Sequence, residues 1–563
     1  MDPDDWMTSG AGHPRRWAIL GVLVVSLLVV VLDNTILNIA LPTIQADLSA
    51  SPGELVWAVD SYILVFAALL FTWGALGDRV GRKRVLVIGL IIFGSASALS
   101  AFAASAEMLI ASRAVMGVGG AAVLPTTLAI ITVVFPPHER GKAIGMWAGA
   151  VGAAVALGPI VGGALLQNPE LFRWLTGNDW GSVFLINVPI VIIGIIAIAR
   201  VVPESRNPEP RRLDIPGLLL SIVGLTALIY GIIHASETKN WLEISVLGPI
   251  ALGVAILATF LYLEHRSDHP SFDVSLFRNR GYAVSLAAVS LAFFALSGIT
   301  FSLPFYLQVL RGYDTLTAGL CFVPFAVGQL LAAPRSASTV ARFGYRPVMT
   351  AGLALVAVSL LALMFVSIET PIWILLVSFF AFGLGMGNVI APASTVMQNV
   401  LPLARAGAGS AVQNTVRQVG GALGVAIVGT VLATQYATNL SQSWSAAAEG
   451  TIPPALIDAA SQSIMATEAV VGGAGDLPPT LVALLQDLAF QDFLSAMHLT
   501  VAISAGVVIV AALLVGFGLP RINPPQARAH EPVSPVDALI EEEVADYPQE
   551  YASEVGRESK DAP

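Results

Sequence analysis

Charged residues are scarce in this chain: Asp, Glu, Lys and Arg make up 12% of its 563 residues. Soluble proteins carry about a quarter charged residues, so this deficit excludes an ordinary water-soluble protein. Hydrophobic residues make up 56%, and long apolar stretches recur from Trp17 to Phe517. Each stretch can cross a bilayer core of about 30 Å. In lipid it must be helical, because a helix satisfies its own backbone hydrogen bonds.

Cysteine is almost absent, and the one residue, Cys321, excludes an intrachain disulfide and a thiolate metal cluster. The sequence also lacks a Gly-x4-Gly-Lys-Ser/Thr phosphate loop and a helical His pair with zinc spacing. We therefore expect no cofactor, no metal and no enzymatic activity. Much of the acid behind the net charge of −10 falls in a late loop and in the tail after Glu541, so nucleic acid is not an expected partner.

The apolar runs predict fourteen transmembrane helices in an all-α fold of two six-helix bundles with two inserted helices between them. The predicted helices span 17–41, 54–76, 84–104, 107–134, 139–166, 182–202, 213–234, 242–263, 281–311, 314–341, 345–367, 370–400, 405–436 and 492–518. The predicted regions are an N-terminal segment (1–16), a first bundle (17–202), a linker with two inserted helices (203–280), a second bundle (281–518) and a disordered acidic tail (519–563). The first run is too long for a cleavable signal peptide.

Basic residues indicate the orientation. If the N-terminus is cytoplasmic, most of the 28 Lys and Arg residues fall on the inner side and very few on the outer side, as the positive-inside rule requires. Both termini are then cytoplasmic, and the segment 437–491 is the one long external loop. In it, two Pro-Pro pairs at 453–454 and 478–479 each precede a helix-like run, so we expect a short helical hairpin. The loops at 74–83 and 341–346 each contain Arg-x-Gly followed within two residues by another arginine. Such a repeat between two halves is typical of transporters.

Three charged residues lie inside the predicted first bundle. A charge inside the membrane is energetically unfavourable, so such residues are normally paired or functional. Asp33 lies about 12 Å below the outer end of its helix, and Asp60 and Arg113 lie about 9 Å below theirs, at a rise of about 1.5 Å per residue. Burial favours the neutral form of a carboxyl group, and a nearby arginine favours the charged form. Asp33 and Arg113 therefore form a candidate proton-exchange pair. A static buried salt bridge is the alternative.

Two glycine-containing segments are candidates for conformational change. In the second loop, Gly74, Asp78, Arg79, Gly81 and Arg82 predict a gate in which Asp78 caps the next helix or pairs with arginines at neighbouring inner helix ends. A plain positive-inside loop is the alternative. In the fifth helix, close helix packing and a kink are predicted by Gly149, Gly158, Pro159, Gly162 and Gly163. Ordinary small-residue packing would explain them equally well.

Polar and aromatic residues in four helices are candidates for substrate contacts. On the thirteenth helix, Asn414, Arg417 and Gln418 share one face by their spacing of three and four, and that face must point inward. Further candidates are Asn34 and Asn38 on the first helix, Trp57, Asp60 and Tyr62 on the second, and Phe305 and Tyr306 on the ninth. Trp57 and Tyr62 also suit an outer aromatic belt, and packing is the simpler role for Phe305 and Tyr306.

Four segments together resemble the fourteen-helix drug:proton antiporters of the major facilitator superfamily, the EmrB/QacA type. They are LDNTILNIALP at 32–42, GALGDRVGRK at 74–83, LIASRAVMG at 109–117 and GAVGAAVALGPIVGG at 149–163. The resemblance covers about residues 17–520. It implies alternating access, a proton-coupling role for Arg113, and a match of Asp33 and Asp60 to the family's carboxylates in its first two helices. The glycine-rich segment implies export rather than uptake.

We therefore expect a monomeric, multi-pass protein of the cell membrane that exports lipophilic, cationic drugs or toxic small molecules in exchange for protons, surrounded by membrane lipids. The alternative within transport is an exporter of endogenous lipids, siderophores or metabolites. A sensor or scaffold built on an inactive transporter fold is the alternative from another class. The intact Asp33, Arg113 and second loop argue against the scaffold.

Overall fold

The computed structural model describes residues 12–206, 214–238, 240–267, 274–399, 406–448, 452–473 and 478–521. Within these ranges every regular element is helical, which confirms the predicted all-α class. The predicted disordered tail and part of the linker lie outside the described residues.

The first bundle contains α1 (Arg16–Leu48), α2 (Pro52–Val80), α3 (Arg82–Ala101), α4 (Ala106–Val134), α5 (Pro137–Gln167), α6 (Glu170–Thr176), α7 (Ser182–Leu185) and α8 (Asn187–Val201). Two inserted helices follow, α9 (Ile215–Thr238) and α10 (Ile244–Arg266). The second bundle contains α11 (Arg280–Phe305), α12 (Thr315–Leu320), α13 (Val323–Phe343), α14 (Tyr345–Leu363), α15 (Ile372–Asn399), α16 (Ala406–Ala448), α17 (Pro454–Ala460), α18 (Ile464–Gly473) and α19 (Pro479–Leu513). A 3-10 turn (Val274–Arg278) precedes α11, and π-helical turns follow α11 (Tyr306–Leu310) and α19 (Leu514–Gly518).

Thirteen helical segments among the described residues are long and apolar enough to cross a membrane. The remaining predicted span corresponds to α5, a helix of 31 residues whose shorter apolar part is Leu157–Gln167. Its first turns carry Glu139, Arg140 and Lys142, which lower its mean hydropathy although its length is sufficient to cross. The predicted number of membrane helices is therefore about right.

The two bundles repeat one packing order. In the first, α4 packs against α2 and α3, and α1 packs against α5. In the second, α15 packs against α13 and α14, and α11 packs against α16. The turn between the second and third helix of each bundle contains a glycine with positive φ, Gly81 at 125° and Gly344 at 84°. Residues with a side chain rarely adopt this backbone region, so both turns require glycine.

The helix ends differ from the predicted ones where local chemistry intervenes. The predicted helix 314–341 is divided at Cys321 and Phe322, and α13 restarts with Pro324 in its first turn, where proline is favoured. The segment 437–491 is largely helical: α16 extends into it to Ala448, α17 and α18 lie within it, and α19 begins at Pro479. The inserted helices α9 and α10 pack on each other, and α9 also packs against α2 and α16.

Candidate functional site

Asp33 and Arg113 form a fully buried ion pair between α1 and α4. The Arg113 Nη1 atom lies 2.5 Å from Asp33 Oδ2, and the two side chains are 0% and 1% exposed. Arg113 also donates from Nε to the backbone oxygen of Ala58 at 3.1 Å. Serine at position 105 caps the start of α4 by accepting from the Met108 backbone N–H, which positions the helix that carries Arg113. The pair predicted from depth alone is thus in direct contact.

Asn187 is the third member of this cluster, and the sequence analysis missed it. Its Nδ2 donates to Asp33 Oδ1 at 2.8 Å and to Ser97 Oγ at 3.0 Å. Asn187 begins α8 and is 1% exposed. Its amide gives Asp33 a second donor, so each carboxylate oxygen has a partner, as a buried charge requires. The available signal was an asparagine inside an otherwise apolar membrane segment.

Tyr62 belongs to the same cluster rather than to the membrane surface. The Arg113 guanidinium carbon lies 4.4 Å from the centroid of the Tyr62 ring, a cation–π geometry. The Tyr62 hydroxyl donates to the backbone oxygen of Val30 at 3.4 Å, and the side chain is 1% exposed. The ring therefore packs against the arginine and helps to hold it in place.

Asp60 is buried on α2 without a donor. Its side chain is 0% exposed, and neither carboxylate oxygen has a hydrogen-bond partner among the described residues. Burying an unpaired carboxylate is unfavourable by many kcal/mol, and binding a proton removes that charge. Asp60 is thus a second carboxyl group suited to holding a proton in this conformation.

A central cavity of about 120 Å³ lies between the two bundles. Its walls come from α1, α2, α5, α11, α13 with its preceding turn, and α16. The lining residues are Asn34, Thr35, Asn38, Ile39, Val59, Ile63, Pro159, Phe293, Leu296, Ser297, Thr300, Phe322, Phe325, Gln418, Gly421 and Val425. They combine three phenylalanines with amides and hydroxyls and include no acidic residue. Such a lining suits a lipophilic molecule with a few polar groups.

The cavity receives part of the predicted substrate set. Asn34, Asn38 and Gln418 lie on its wall, and Arg417 stacks on one wall residue, with its guanidinium carbon 5.0 Å from the centroid of Phe293. Asn414 lies one helical turn before Gln418 on α16 and is partly buried.

Other predicted substrate residues lie elsewhere in the fold. Asp60 and Tyr62 are buried as described above, and Trp57 is partly buried against the core. Phe305 is 4% exposed and packs 6.3 Å from Phe301, measured between ring centroids. Tyr306 donates from its hydroxyl to the backbone oxygen of Ser367 at 2.8 Å. The residues that line the described cavity include neither Asp60 nor any of these four aromatic residues.

The glycines of α5 allow close contact between the two bundles on the face that carries the α1–α2 turn. Thr315 donates from Oγ1 to the backbone oxygen of Gly163 at 3.0 Å. A Cβ atom on Gly163 would lie 2.8 Å from Leu316 Cα, and one on Gly319 would lie 2.8 Å from the carbonyl carbon of Pro159. We name this α5–α12 contact the glycine seam.

The rest of the glycine-rich segment packs against α1. A Cβ atom on Gly158 would meet the side chain of Thr35, and one on Gly162 would meet Ile36 and Ile39. Gly149 lies in α5 within a stretch whose side chains the structure does not describe. These glycines therefore let α5 pack closely against α1 on the α1–α2 face.

The predicted gate lies on the opposite face, at the α2–α3 turn. Arg82 forms a salt bridge with Asp78 at 2.8 Å and approaches the backbone oxygen of Ala129 on α4 at 3.5 Å. Glu204 was not predicted as part of this cluster, yet it accepts from the Lys83 backbone N–H at 3.1 Å and pairs with Arg84 at 3.6 Å.

The two glycines predicted as part of the gate have different surroundings. Gly81 packs against the Glu204 carboxylate, so a Cβ atom there would lie 2.7 Å from Glu204 Cδ. Gly74 has room, with a hypothetical Cβ atom 3.6 Å from Pro125 Cβ. Arg79 is exposed. The α2–α3 turn therefore ties α2 and α3 to the end of α8 through charged side chains.

Comparison with known proteins agrees with this architecture. The chain matches the Major Facilitator Superfamily over residues 23–425. It is 35% identical to the multidrug efflux pump LfrA of Mycolicibacterium smegmatis, covering 90% of this chain and 97% of that protein. It is 30% identical to the tetracenomycin C resistance and export protein of Streptomyces glaucescens, covering 92% and 94%.

Solved structures show the same fold at low sequence identity. A bacterial homologue of the human lysosomal transporter Spinster, inward-facing and unoccupied, superposes with a TM-score of 0.60 at 18% identity over 89% of this chain and 97% of that one. A D-xylose–proton symporter gives 0.56 at 15% identity over 90% and 98%. The predicted family and the absence of an enzymatic role are confirmed. The chain belongs to the major facilitator superfamily and is a membrane transporter.

Proposed function

We propose that the protein is a proton-coupled antiporter that exports lipophilic small molecules by alternating access. The observation that carries this proposal is the Asp33–Arg113–Asn187 cluster, which is fully buried next to the central cavity. Intramembrane ion pairs mark proton and substrate pathways. The relatives support export, since they are named as efflux, resistance and export proteins.

The cluster can couple a proton to the cavity through α1. Asp33 faces Arg113, and the adjacent Asn34 and, one turn on, Asn38 line the cavity. When Asp33 binds a proton, it no longer pairs as an anion with Arg113, and the contact between α1 and α4 weakens. The wall formed by α1 then changes its position. If substrate binding favours the deprotonated form, protonation must disfavour substrate binding by the same factor.

Alternating access requires one face to close while the other opens. The glycine seam closes the α1–α2 face, which basic-residue counts place outside the cell. The gate residues Asp78 and Arg82 lie on the other face, where α2, α3 and α4 meet. We infer that opening of the seam and rearrangement of this gate alternate during transport.

The proposal is tested by measuring transport of a fluorescent lipophilic probe by the Asp33→Asn variant in proteoliposomes. Asparagine resembles a permanently protonated Asp33 in charge, so accumulation of a fluorescent lipophilic probe driven by a pH gradient should be lost. Exchange of labelled for unlabelled probe without a gradient should remain. Asp47→Asn is a matched control, because Asp47 is an exposed carboxylate on the same helix and asparagine keeps an oxygen that can accept from Trp180 Nε1, which donates to Asp47 at 2.8 Å. If Asp33→Asn still accumulates the probe on a proton gradient alone, Asp33 is not the coupling residue, and Asp60 becomes the candidate.

The alternative substrate class, endogenous lipids, siderophores or metabolites, uses the same cavity and the same coupling. A panel of such compounds in the proteoliposome assay separates it from drug export. Stimulation of proton flux by an endogenous compound, without stimulation by drugs, would favour the alternative.

A further inference from the structure

Arg417 is a cation inside the second bundle without an acidic partner. Its guanidinium carbon lies 5.0 Å from the centroid of Phe293, and Phe293 lines the central cavity. Its Nε is buried and has no hydrogen-bond partner among the described residues. The salt bridges found in the described part of the chain do not include Arg417. The described part of the protein therefore leaves the Nε donor of the guanidinium unused.

The second-bundle helices α11 to α16 offer no carboxylate to this arginine. The helices α11 to α16 contain no Asp or Glu at all. The two membrane aspartates of the first bundle are placed elsewhere, since Asp33 pairs with Arg113 and Asp60 is 0% exposed on α2. The residues that line the cavity include no acid either. The charge next to the cavity in this conformation is therefore positive.

A partly buried arginine of this kind is suited to binding an anion. An unpaired charge inside a membrane protein is unfavourable, and such residues normally pair. A guanidinium presents five N–H donors in a planar arrangement that matches a carboxylate with two parallel hydrogen bonds. Phe293 covers one face of the guanidinium by a cation–π contact, which leaves its edge available. Phe322 and Phe325 supply further aromatic surface on the cavity wall.

We propose that the central cavity selects lipophilic aromatic anions and that Arg417 binds their carboxylate or an equivalent acidic group. This proposal rests on the export function proposed above and names its substrate class. It differs from the cationic substrates expected from the sequence, because a cation would need an acidic group on the cavity wall. The described lining supplies amides, hydroxyls and phenyl rings instead.

The experiment measures binding to the purified full-length protein with three probes that share one fluorescent body. The probes are anthracene-9-carboxylate, its methyl ester and 9-(aminomethyl)anthracene. The variants are Arg417→Gln, which removes the charge, and Arg417→Lys, which keeps it without the planar guanidinium. Arg335→Gln is the matched control, because Arg335 is an exposed arginine in a membrane helix of the same bundle and donates to the backbone oxygen of Leu331 at 2.9 Å.

The wild-type protein should bind the carboxylate about 10- to 100-fold more tightly than the ester, the range of a hydrogen bond to a charged group. Arg417→Gln should remove this preference, Arg417→Lys should retain part of it, and Arg335→Gln should leave it unchanged. Equal binding of carboxylate and ester by the wild-type protein, or an unchanged preference in a folded Arg417→Gln protein, would overturn the proposal. If the Arg417→Gln protein does not fold, the test is whether Arg417→Lys shows a smaller preference for the carboxylate over the ester than the wild-type protein does. An unchanged preference in Arg417→Lys would then overturn the proposal.

A different outcome would assign the charge preference of the cavity to Asp60 instead of Arg417. A wild-type preference for the amine that is lost in Asp60→Asn would show a cation site and overturn the proposal. Binding is measured without a proton gradient. Failure of proton-driven transport therefore refutes the antiport mechanism and leaves the carboxylate preference intact, whereas loss of that preference alone refutes only the substrate class.

Discussion

The glycine seam provides the sharpest structural prediction. Each of the substitutions Gly163→Ala and Gly319→Ala places a Cβ atom 2.8 Å from a backbone carbon of the facing segment, whereas ordinary van der Waals contact begins at 3.4 Å. The facing atoms belong to the backbone and not to a flexible side chain, so α5 and α12 must separate by roughly 0.6 Å or more. The substitution therefore acts on the conformation in which the seam is closed.

The magnitude follows from the cost of overpacking. Adding a methyl group to a tightly packed contact destabilises it by about 1–3 kcal/mol. When only the closed conformation bears this cost, the open-to-closed ratio rises by about 5- to 150-fold. Two substitutions on the same seam share one separation of the helices, so their effects should not add fully.

The chain contains its own reporter for this change. Cys321 is its single cysteine, directly follows α12 and is 4% exposed. A membrane-impermeant maleimide should alkylate Cys321 faster in each variant, in proportion to the open fraction. Gly145→Ala on α5 is the matched control, because a Cβ atom there has no neighbour within 4 Å. If both seam variants label no faster than Gly145→Ala while remaining folded, the seam is not the closure of the α1–α2 face.

Further predictions concern the gate and the segment between α16 and α19. Asp78→Asn and Arg82→Ala each break the 2.8 Å salt bridge at the α2–α3 turn and should slow transport while the protein still inserts; wild-type rates at equal expression would contradict this. Gly81→Ala should lower the thermal stability of the protein in detergent more than Gly74→Ala does, since Gly81 has φ 125° and contacts Glu204. Shortening the segment 449–476 should leave proton-coupled transport in place, because this segment lacks Lys and Arg and lies beyond the membrane-spanning part of the bundle. Complete loss of transport in a folded deletion would show that the segment is essential.

The sequence alone allowed the fold class and the membrane helices to be predicted, and the physical reason is the solvent. A bilayer imposes one length and one secondary structure on an apolar stretch, so hydropathy is sufficient to predict the membrane helices. The exceptions are instructive: α5 is more polar in its first turns, and α12 and α13 are separated before Pro324, where local backbone chemistry outweighs hydropathy. Between α16 and α19, helices begin at Pro454 and Pro479 as the two Pro-Pro pairs predicted, but the extension of α16 to Ala448 was not predicted, because helices outside the membrane lack that constraint.

Intramembrane charge was also informative, because charges there are rare and need partners. Asp33, Asp60, Arg113 and Arg417 were all identified as candidates, and similar depth suggested the pairing of Asp33 with Arg113. Depth could not identify Asn187, since an amide in an apolar segment has no charge to balance. It also could not show that the Arg113 guanidinium stacks on Tyr62.

What the sequence determined is which residues are placed in the membrane and at what depth. Only the tertiary structure decided which way each residue faces. Asp33 and Asn34 are adjacent in the sequence, yet one faces Arg113 and the other faces the cavity. Asp60 has no hydrogen-bond partner among the described residues, and Arg417 lies beside a cavity wall whose described lining has no acids. The reason is that depth depends on position along one helix, whereas facing depends on the rotation of that helix and on its neighbours, which come from distant parts of the chain.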